Sequence, residues 1–230
     1  MKKYAISDIH GCAKTFKALL DRISFSPEDE LYLLGDYIDR GPDSKGVIDH
    51  IWHLQETGHT VRCLRGNHEQ MFLYAIDARD ELYGINETRG YAETIESFGT
   101  SNIDHIPKAY VNWMKHLDFY LEVDQYILVH AGLSFSSGNP FENKREMIWI
   151  RYWYEGIDRA WLGDRVIVHG HTPTSQLEIK NSIRRLAEIP AIDIDNGCPF
   201  ESFGFGNLCA FELEEQRFTF QANIDEMLRF

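Results

Sequence analysis

The sequence predicts an α/β fold in which two packed, mainly mixed β-sheets are flanked by helices and carry a helical insertion. Three observations lead there. The first 80 residues alternate strand and helix signals. Residues 80–117 read as helices and loops alone. The C-terminal third alternates short apolar strands with turns. A length of 230 residues suits one domain over 1–230, and 43% hydrophobic content is enough for an ordinary core.

Tyr4–Ser7 opens as a short apolar strand. From Ala13 the spacing turns helical, with Phe16, Leu19, Leu20 and Ile23 recurring at three and four. Pro27 and Glu28-Asp29-Glu30 mark a loop, and Leu31–Leu34 is a continuous apolar strand of the fully buried kind. After Gly41-Pro42, Val47, Ile48, Ile51 and Leu54 form a second amphipathic helix that Gly58 closes. Thr60–Leu64 is the third strand, and the helix from Asn67 puts Met71, Phe72 and Ala75 on one face. This β-α-β-α-β order predicts a parallel sheet with right-handed crossovers.

Thr88–Phe98 and Pro107–Leu117 read as helices of an insertion over the sheet edge. Phe119–Val123 and Tyr126–Val129 form a hairpin around Asp124-Gln125, and Arg165–Val168 is a short strand. Beyond it Gln176–Ile179, Ile183–Leu186, Ala191–Ile194, Leu208–Leu213 and Phe218–Gln221 read as antiparallel strands of a second sheet packed on the first.

A net charge of −13 argues against nucleic acid as a partner, and any phosphate site must carry its own local positive charge. No stretch approaches the ~20 apolar residues of a membrane span, and Lys2-Lys3 is followed by no long apolar segment of a signal peptide. Cys12, Cys63, Cys198 and Cys209 lack paired metal-site spacing, so neither a disulfide framework nor a zinc ribbon is expected. A cytoplasmic protein is the resulting expectation.

Five islands carry the chemistry: Asp8-Ile9-His10-Gly11, Gly35-Asp36-Tyr37-Ile38-Asp39-Arg40-Gly41, Arg65-Gly66-Asn67-His68-Glu69, His130-Ala131-Gly132 and His169-Gly170-His171-Thr172. Each follows a strand, at the end where ligands gather in an open α/β sheet. Together they offer enough oxygen and nitrogen ligands for two adjacent metal ions, and hence for hydrolysis of a phosphate ester.

These motifs resemble the signatures of the phosphoprotein phosphatase family, within the calcineurin-like metallophosphoesterases. His130-Ala131-Gly132-Leu133 and Gly170-His171-Thr172-Pro173 resemble the later motifs of its bacterial and phage branch, and Asp193-Ile194-Asp195-Asn196-Gly197 resembles a further segment. Ser7 departs from the eukaryotic pattern, which has Gly there. The resemblance implies a metallophosphoesterase β-sandwich and assigns roles. Asp8 and His10 would bind one metal, Asp36 would bridge, and Asn67, His130 and His171 would complete the second. Oxygen and imidazole ligands without thiolate favour Mn²⁺, with Fe or Zn²⁺ as alternatives. His68 would be the general acid, oriented by Asp39, while Arg40 and Arg151 would hold phosphate oxygens. Glu69 would be a structural hydrogen-bond acceptor.

The implied reaction is direct attack of a metal-bound hydroxide on phosphorus, with no phosphoenzyme. A serine/threonine protein phosphatase comes first among substrates, with a symmetrical diadenosine tetraphosphate hydrolase, or another small-molecule phosphatase of the family, as the alternative. A metal-binding module without catalysis would not need Asp39, Arg40 or His68, and a nuclease would need a basic stripe. His169 is open between a metal ligand, a group behind the ligands and a solvent contact. The aromatic run Trp149, Tyr152, Trp153, Tyr154 and Trp161 is open between core packing and a substrate-stacking rim that includes Trp153.

Overall fold

Tyr4 and Ile6 turn to one face of the first strand and Ala5 to the other, and all three are buried. A strand apolar on both faces must be covered on both, and the computed structural model shows how. It describes residues 1–77, 91–136 and 138–226. Strands β1 (Lys3–Ile6), β2 (Glu30–Leu33) and β3 (Thr60–Cys63) pair in parallel in the order β3-β2-β1, with Ile6 opposite Leu33 and Leu33 opposite Cys63. The connections are helices α1 (Ala13–Arg22) and α2 (Ser44–Glu56), and α3 (Asn67–Asp77) follows β3.

Helix α1 buries Phe16, Leu19 and Leu20, and α2 buries Val47, Ile48, Ile51 and Leu54, all in one cluster with Tyr4, Ile6, Leu31 and Leu33. Each such side chain contributes about 1.5–3 kcal/mol relative to exposure. Asp43 caps α2 by accepting the Gly46 N–H at 2.8 Å, and Gly58 follows its C-terminus at φ +90.

The second sheet has the order β4-β5-β6-β7: Tyr120–Val123, Tyr126–Val129, Val166–His169 and Ala191–Asp193. The β4–β5 hairpin is antiparallel, and β5-β6-β7 is parallel. Tyr126 and Leu128 face the interior between the sheets, with Ala5, Tyr32, Leu34, Val168 and Ile192. Ile127 and Val129 face outward under α6 (Lys144–Trp149) and α7 (Arg159–Leu162).

Two expectations are corrected. First, Gln176–Ile179 and Ile183–Leu186 are not strands. Gln176–Ser182 is helix α8, and Ile183–Arg185 is a 3₁₀ turn. The alternation of Leu177 and Ile179 imitates a strand, but Ser175 and Glu178 carry the capping-box pattern, with Ser175 Oγ accepting the Glu178 N–H at 3.3 Å and donating to Glu178 Oε2 at 2.7 Å. Second, the remaining C-terminal strands do not make their own sheet. β7 joins β6 in parallel, while β8 (Asn207–Glu212) and β9 (Arg217–Ala222) extend the first sheet as antiparallel neighbours of β1.

Part of the expected insertion, residues 80–90 with the start of the Thr88–Phe98 helix, lies outside the described residues. Helices α4 (Tyr91–Ser97) and α5 (Lys108–Lys115) supply an extra helical segment. Tyr110 and Met114 of α5 pack into the α1–α2 side of the core. Among the described residues no helix is long and apolar enough to cross a membrane.

Candidate dinuclear metal centre

The loops after β1 and β2 are tied together by backbone hydrogen bonds. The N–H groups of Asp8, His10 and Gly11 donate to the carbonyls of Gly35, Asp36 and Tyr37 at 3.2, 2.9 and 2.8 Å. Closing two loops this tightly forces unusual backbone. Asp8, His10, Asp36, Asp39, Arg40 and His171 all have φ between +46 and +74. They are six of the ten non-glycine residues with positive φ among the described residues, and such strain concentrates at functional sites.

Asp36 stands at the centre. His10, Asp36 and His68 form one group of mutually close ligand atoms, and Asp36, His130 and His171 form another, all buried. His10 Nδ1 donates to the Ile38 carbonyl at 2.9 Å, leaving Nε2 at 3.5 Å from Asp36 Oδ2. His130 repeats the arrangement, with Nδ1 on the Leu34 carbonyl at 2.9 Å and Nε2 at 3.5 Å from Asp36 Oδ1. Backbone carbonyls thus fix both tautomers so that Nε2 faces the centre. Asn67 Oδ1 lies 3.0 Å from His130 Nε2 and 2.8 Å from His171 Nδ1. Asp8 lies alongside, with Oδ1 at 3.8 Å from His10 Nε2 and Oδ2 accepting the His171 N–H at 3.0 Å and the Ser7 hydroxyl.

Burial drives Asp36 well above the usual carboxylate range, with Asp8 adding repulsion. Burial also lowers His10 and His130, and it takes His171 down to about 2 with help from His130 and Arg151. Neutral imidazole is the form in which histidine ligates a divalent cation, and a buried carboxyl such as Asp36 gives up its proton when a cation binds. His171 Nε2 is buried without a hydrogen-bond partner. Any side chain at Gly66 would overlap Asp36 Oδ1, and any at Gly170 would overlap Asp8 Oδ2, so the cradle closes tightly on its carboxylates. These residues fit a pair of divalent metal ions, and the two triads sharing Asp36 form a dinuclear site.

Beside it, His68 Nδ1 donates to Asp39 Oδ2 at 2.7 Å, leaving Nε2 at 3.9 Å from Asp36 Oδ2 and 3.3 Å from an Arg40 nitrogen. Burial alone would lower the His68 pKa, but Asp36 and Asp39 outweigh it and raise it. Arg40 lies over the Phe200 ring, 5.4 Å from its centroid. Arg151 donates to Thr172 Oγ1 at 3.0 Å, one residue beyond His171. Glu69 accepts three backbone N–H groups, from Asp36, Tyr37 and Gly66.

His169 sits behind this centre. Its Nδ1 donates to the Gly170 carbonyl at 3.0 Å and its Nε2 accepts the Tyr154 hydroxyl at 2.6 Å, so neither ring nitrogen is left for a metal. The aromatic run divides. Trp153 is buried and donates to the Ala131 carbonyl at 3.1 Å, which corrects the expectation that it could stand on a stacking rim. Trp161 packs on Phe141, Trp149 edges toward His171 with ring centroids 6.5 Å apart, and Tyr152 is exposed. Sequence reasoning missed Thr94 of α4, whose hydroxyl bonds the Asp39 carboxylate at 2.5 Å. A threonine inside a helical pattern gave no signal.

Comparison with known proteins agrees with this geometry. Residues 1–194 match the model of the calcineurin-like phosphoesterase family. A symmetrical bis(5'-nucleosyl)-tetraphosphatase of Nitrosomonas europaea is 34% identical over 134 residues, 58% of this chain and 45% of that protein. The chain thus spans less than half the length of the curated relatives it matches. Among solved structures, a candidate diadenosine tetraphosphatase is similar at TM-score 0.65 with 20% identity, covering 95% of this chain and 92% of that one. A serine/threonine phosphatase of Saccharomyces cerevisiae is similar at TM-score 0.65 with 17% identity, covering 98% and 81%. At such identities these two speak for the fold alone. The family match over most of the chain, on a fold that gathers its motifs around Asp36, identifies the chain as a member of the calcineurin-like phosphoesterase family.

Proposed function

We propose that this chain is a hydrolase of phosphoric esters and anhydrides that works with two divalent metal ions, and that dinucleoside tetraphosphates are its substrate class. The observation that carries the chemistry is the pair of triads sharing Asp36 beside the His68–Asp39 pair. Metal binding alone accounts for His10, Asp36, His130 and His171, but it does not call for an aspartate of its own behind His68, the remaining member of the triads.

Asp8, beside His10, would join His10 and Asp36 around one ion, with His68 of that triad left free for the substrate, and Asn67, bonded to His130 and His171, would join them and Asp36 around the other. Mn²⁺ is the proposed metal for this oxygen and imidazole set. Two such ions supply Lewis acidity toward phosphoryl oxygens and lower the pKa of water toward neutrality. The chain's own residues do the rest. Arg40 and Arg151 bind and orient phosphate oxygens, as planar bidentate donors do. His68 Nε2 holds the proton that the leaving oxygen takes, and Asp39 keeps that nitrogen aimed.

The sequence alone put phosphoproteins first. Relatives 29–35% identical over 58% of the chain, each a symmetrical bis(5'-nucleosyl)-tetraphosphatase, support the dinucleotide instead. We read 1–230 as a single domain. Its four free thiols fit a reducing cytoplasm.

The test is a side-by-side assay with manganese of diadenosine tetraphosphate and phosphoserine and phosphothreonine peptides. Release of two nucleoside diphosphates at the higher kcat/KM is expected. Faster peptide dephosphorylation would restore the protein phosphatase reading, and turnover of neither would refute both.

A further inference from the structure

Asp39 is fully buried, carries φ +70 and bonds His68 through one carboxylate oxygen only. Its other oxygen, Oδ1, accepts the Thr94 hydroxyl at 2.5 Å. The same hydroxyl accepts the backbone N–H of Asp39 at 2.9 Å. One threonine oxygen therefore closes a ring with both ends of Asp39, leaving the carboxylate a single orientation, with Oδ2 toward His68. Ser44 Oγ shares the backbone N–H at 3.1 Å and bonds the Thr94 hydroxyl, also at 3.1 Å, so it braces the threonine while the threonine alone reaches Oδ1.

Thr94 is itself held. It is fully buried, its carbonyl accepts the Ser97 hydroxyl at 2.6 Å, and Ser97 Oγ accepts the Lys45 N–H of α2 at 3.1 Å. A β-branched side chain in a helix has few rotamers to visit, which suits a fixed strut.

We propose that Thr94 is a positioning residue for the Asp39–His68 pair, so that the helical segment carrying α4 completes the proton-donating side of the site. The inference rests on the acid role given to His68 above. Without the Thr94 hydroxyl, the Asp39 carboxylate loses its second bond and can turn about its last torsion. His68 then loses its fixed heading, while the metal-holding residues stay where they are.

Thr94→Val keeps the shape and removes both bonds to Asp39, along with the one to Ser44. With manganese and a series of aryl phosphates, it should lower kcat about 10-fold to 100-fold for the poorest leaving groups. The loss should shrink as the leaving group improves, with KM within about twofold. Thr94→Ser should recover most of the lost rate. A second readout needs no metal or turnover: the low-field proton NMR signal of His68 Nδ1–H, assigned by its disappearance in His68→Asn. It should be sharp in the native protein and in Thr94→Ser, and broadened in Thr94→Val. Thr94→Ala serves in place of Thr94→Val should the latter not fold.

An equal loss for all leaving groups together with an unchanged Nδ1–H signal would overturn the proposal. His68→Asn measured in parallel separates the levels. If His68→Asn shows the leaving-group dependence and Thr94→Val does not, the positioning role alone fails. If His68→Asn shows none, the acid reading fails and takes this inference with it.

Discussion

The carboxylate of Glu69 holds the backbone N–H of Asp36 at 3.0 Å, from the first turn of the helix after the next strand. It also accepts the N–H groups of Tyr37 at 2.8 Å and Gly66 at 2.9 Å. Glu69 therefore pins the loop that presents the shared carboxylate of both triads. Its side chain is fully buried, so removing it leaves three donors without solvent to turn to. Glu69→Ala should cost about 3–5 kcal/mol by urea denaturation, at about 1–3 kcal/mol for each orphaned group with partial relaxation. It should also lower the metal bound per chain. Glu69→Gln, which retains one acceptor oxygen, should cost less. A Glu69→Ala variant with native stability and full metal content would contradict this role.

Helix α1 has no side-chain cap of its own, since Cys12 occupies the N-cap position without a side-chain bond. Asp225 fills it from the other end of the sequence, accepting the N–H groups of Lys14 at 3.0 Å and Thr15 at 2.9 Å and the Thr15 hydroxyl at 2.6 Å. The negative charge also meets the positive end of the helix. Asp225→Ala should cost about 1–2 kcal/mol, as loss of a helix cap does. In a chain of this size that lowers Tm by roughly 2–8 °C in a calorimetric scan. Metal content should not change, and a shift of under a degree would show that the cap contributes nothing.

Asp225 and Thr94 mark the limit of what the linear chain reveals. Through α3 the strands and helices were legible because apolar runs and three-four spacing match what is buried, as Phe16, Leu19, Val47 and Ile51 show. The residues of the two triads were legible because they fall in glycine-bearing islands at strand ends. Gln176–Leu186 misled because two alternating apolar residues outweighed a capping-box pattern. Partners distant in the chain left no local trace. Thr94 is 55 residues from Asp39 and Asp225 is 210 from Thr15, and neither belongs to a recognisable pattern. The parallel placement of β7, and the return of β8 and β9 to the first sheet, rest on long-range pairing that periodicity does not encode.

His50 on α2 sets an acid limit to stability away from the metal site. Its ring meets Phe16 edge-on, with centroids 5.6 Å apart. Burial, with Lys17 and His53 nearby, lowers its pKa to about 4 against an ordinary value of 6.5. The sign follows from linkage. Below pH 6.5 the unfolded chain takes up a proton that the folded ring refuses until about pH 4. Stability from this group is intact above pH 6.5 and falls as pH drops toward 4. Solvent around a half-buried ring reduces the effect to about 1–2 kcal/mol. His50→Leu should therefore gain that much on the native protein between pH 7.5 and pH 4.5, as about a 1–2 kcal/mol change in the stability difference from chemical denaturation. Parallel pH curves would show that His50 does not titrate with folding.

Gly66 tests the cradle without touching a ligand's identity. A Cβ there would overlap both Oδ1 and the backbone nitrogen of Asp36, and neither atom can move freely. Oδ1 accepts the His68 N–H at 3.0 Å, and the nitrogen is bound by Glu69. Gly66→Ala should push Asp36 off the axis shared by the two triads. With Asp36 in its proposed bridging role, bound manganese should fall from two ions per chain toward none, rather than to one. The thermal shift that manganese gives the native protein should disappear as well, since a ligand stabilises only the state that binds it. Gly58→Ala is the control: its backbone also has positive φ, but a Cβ there meets nothing within 4 Å. It should cost about 1 kcal/mol in stability and leave the metal count at two. Retention of one tightly bound ion in Gly66→Ala would show that the two sites fill independently and that Asp36 does not serve both.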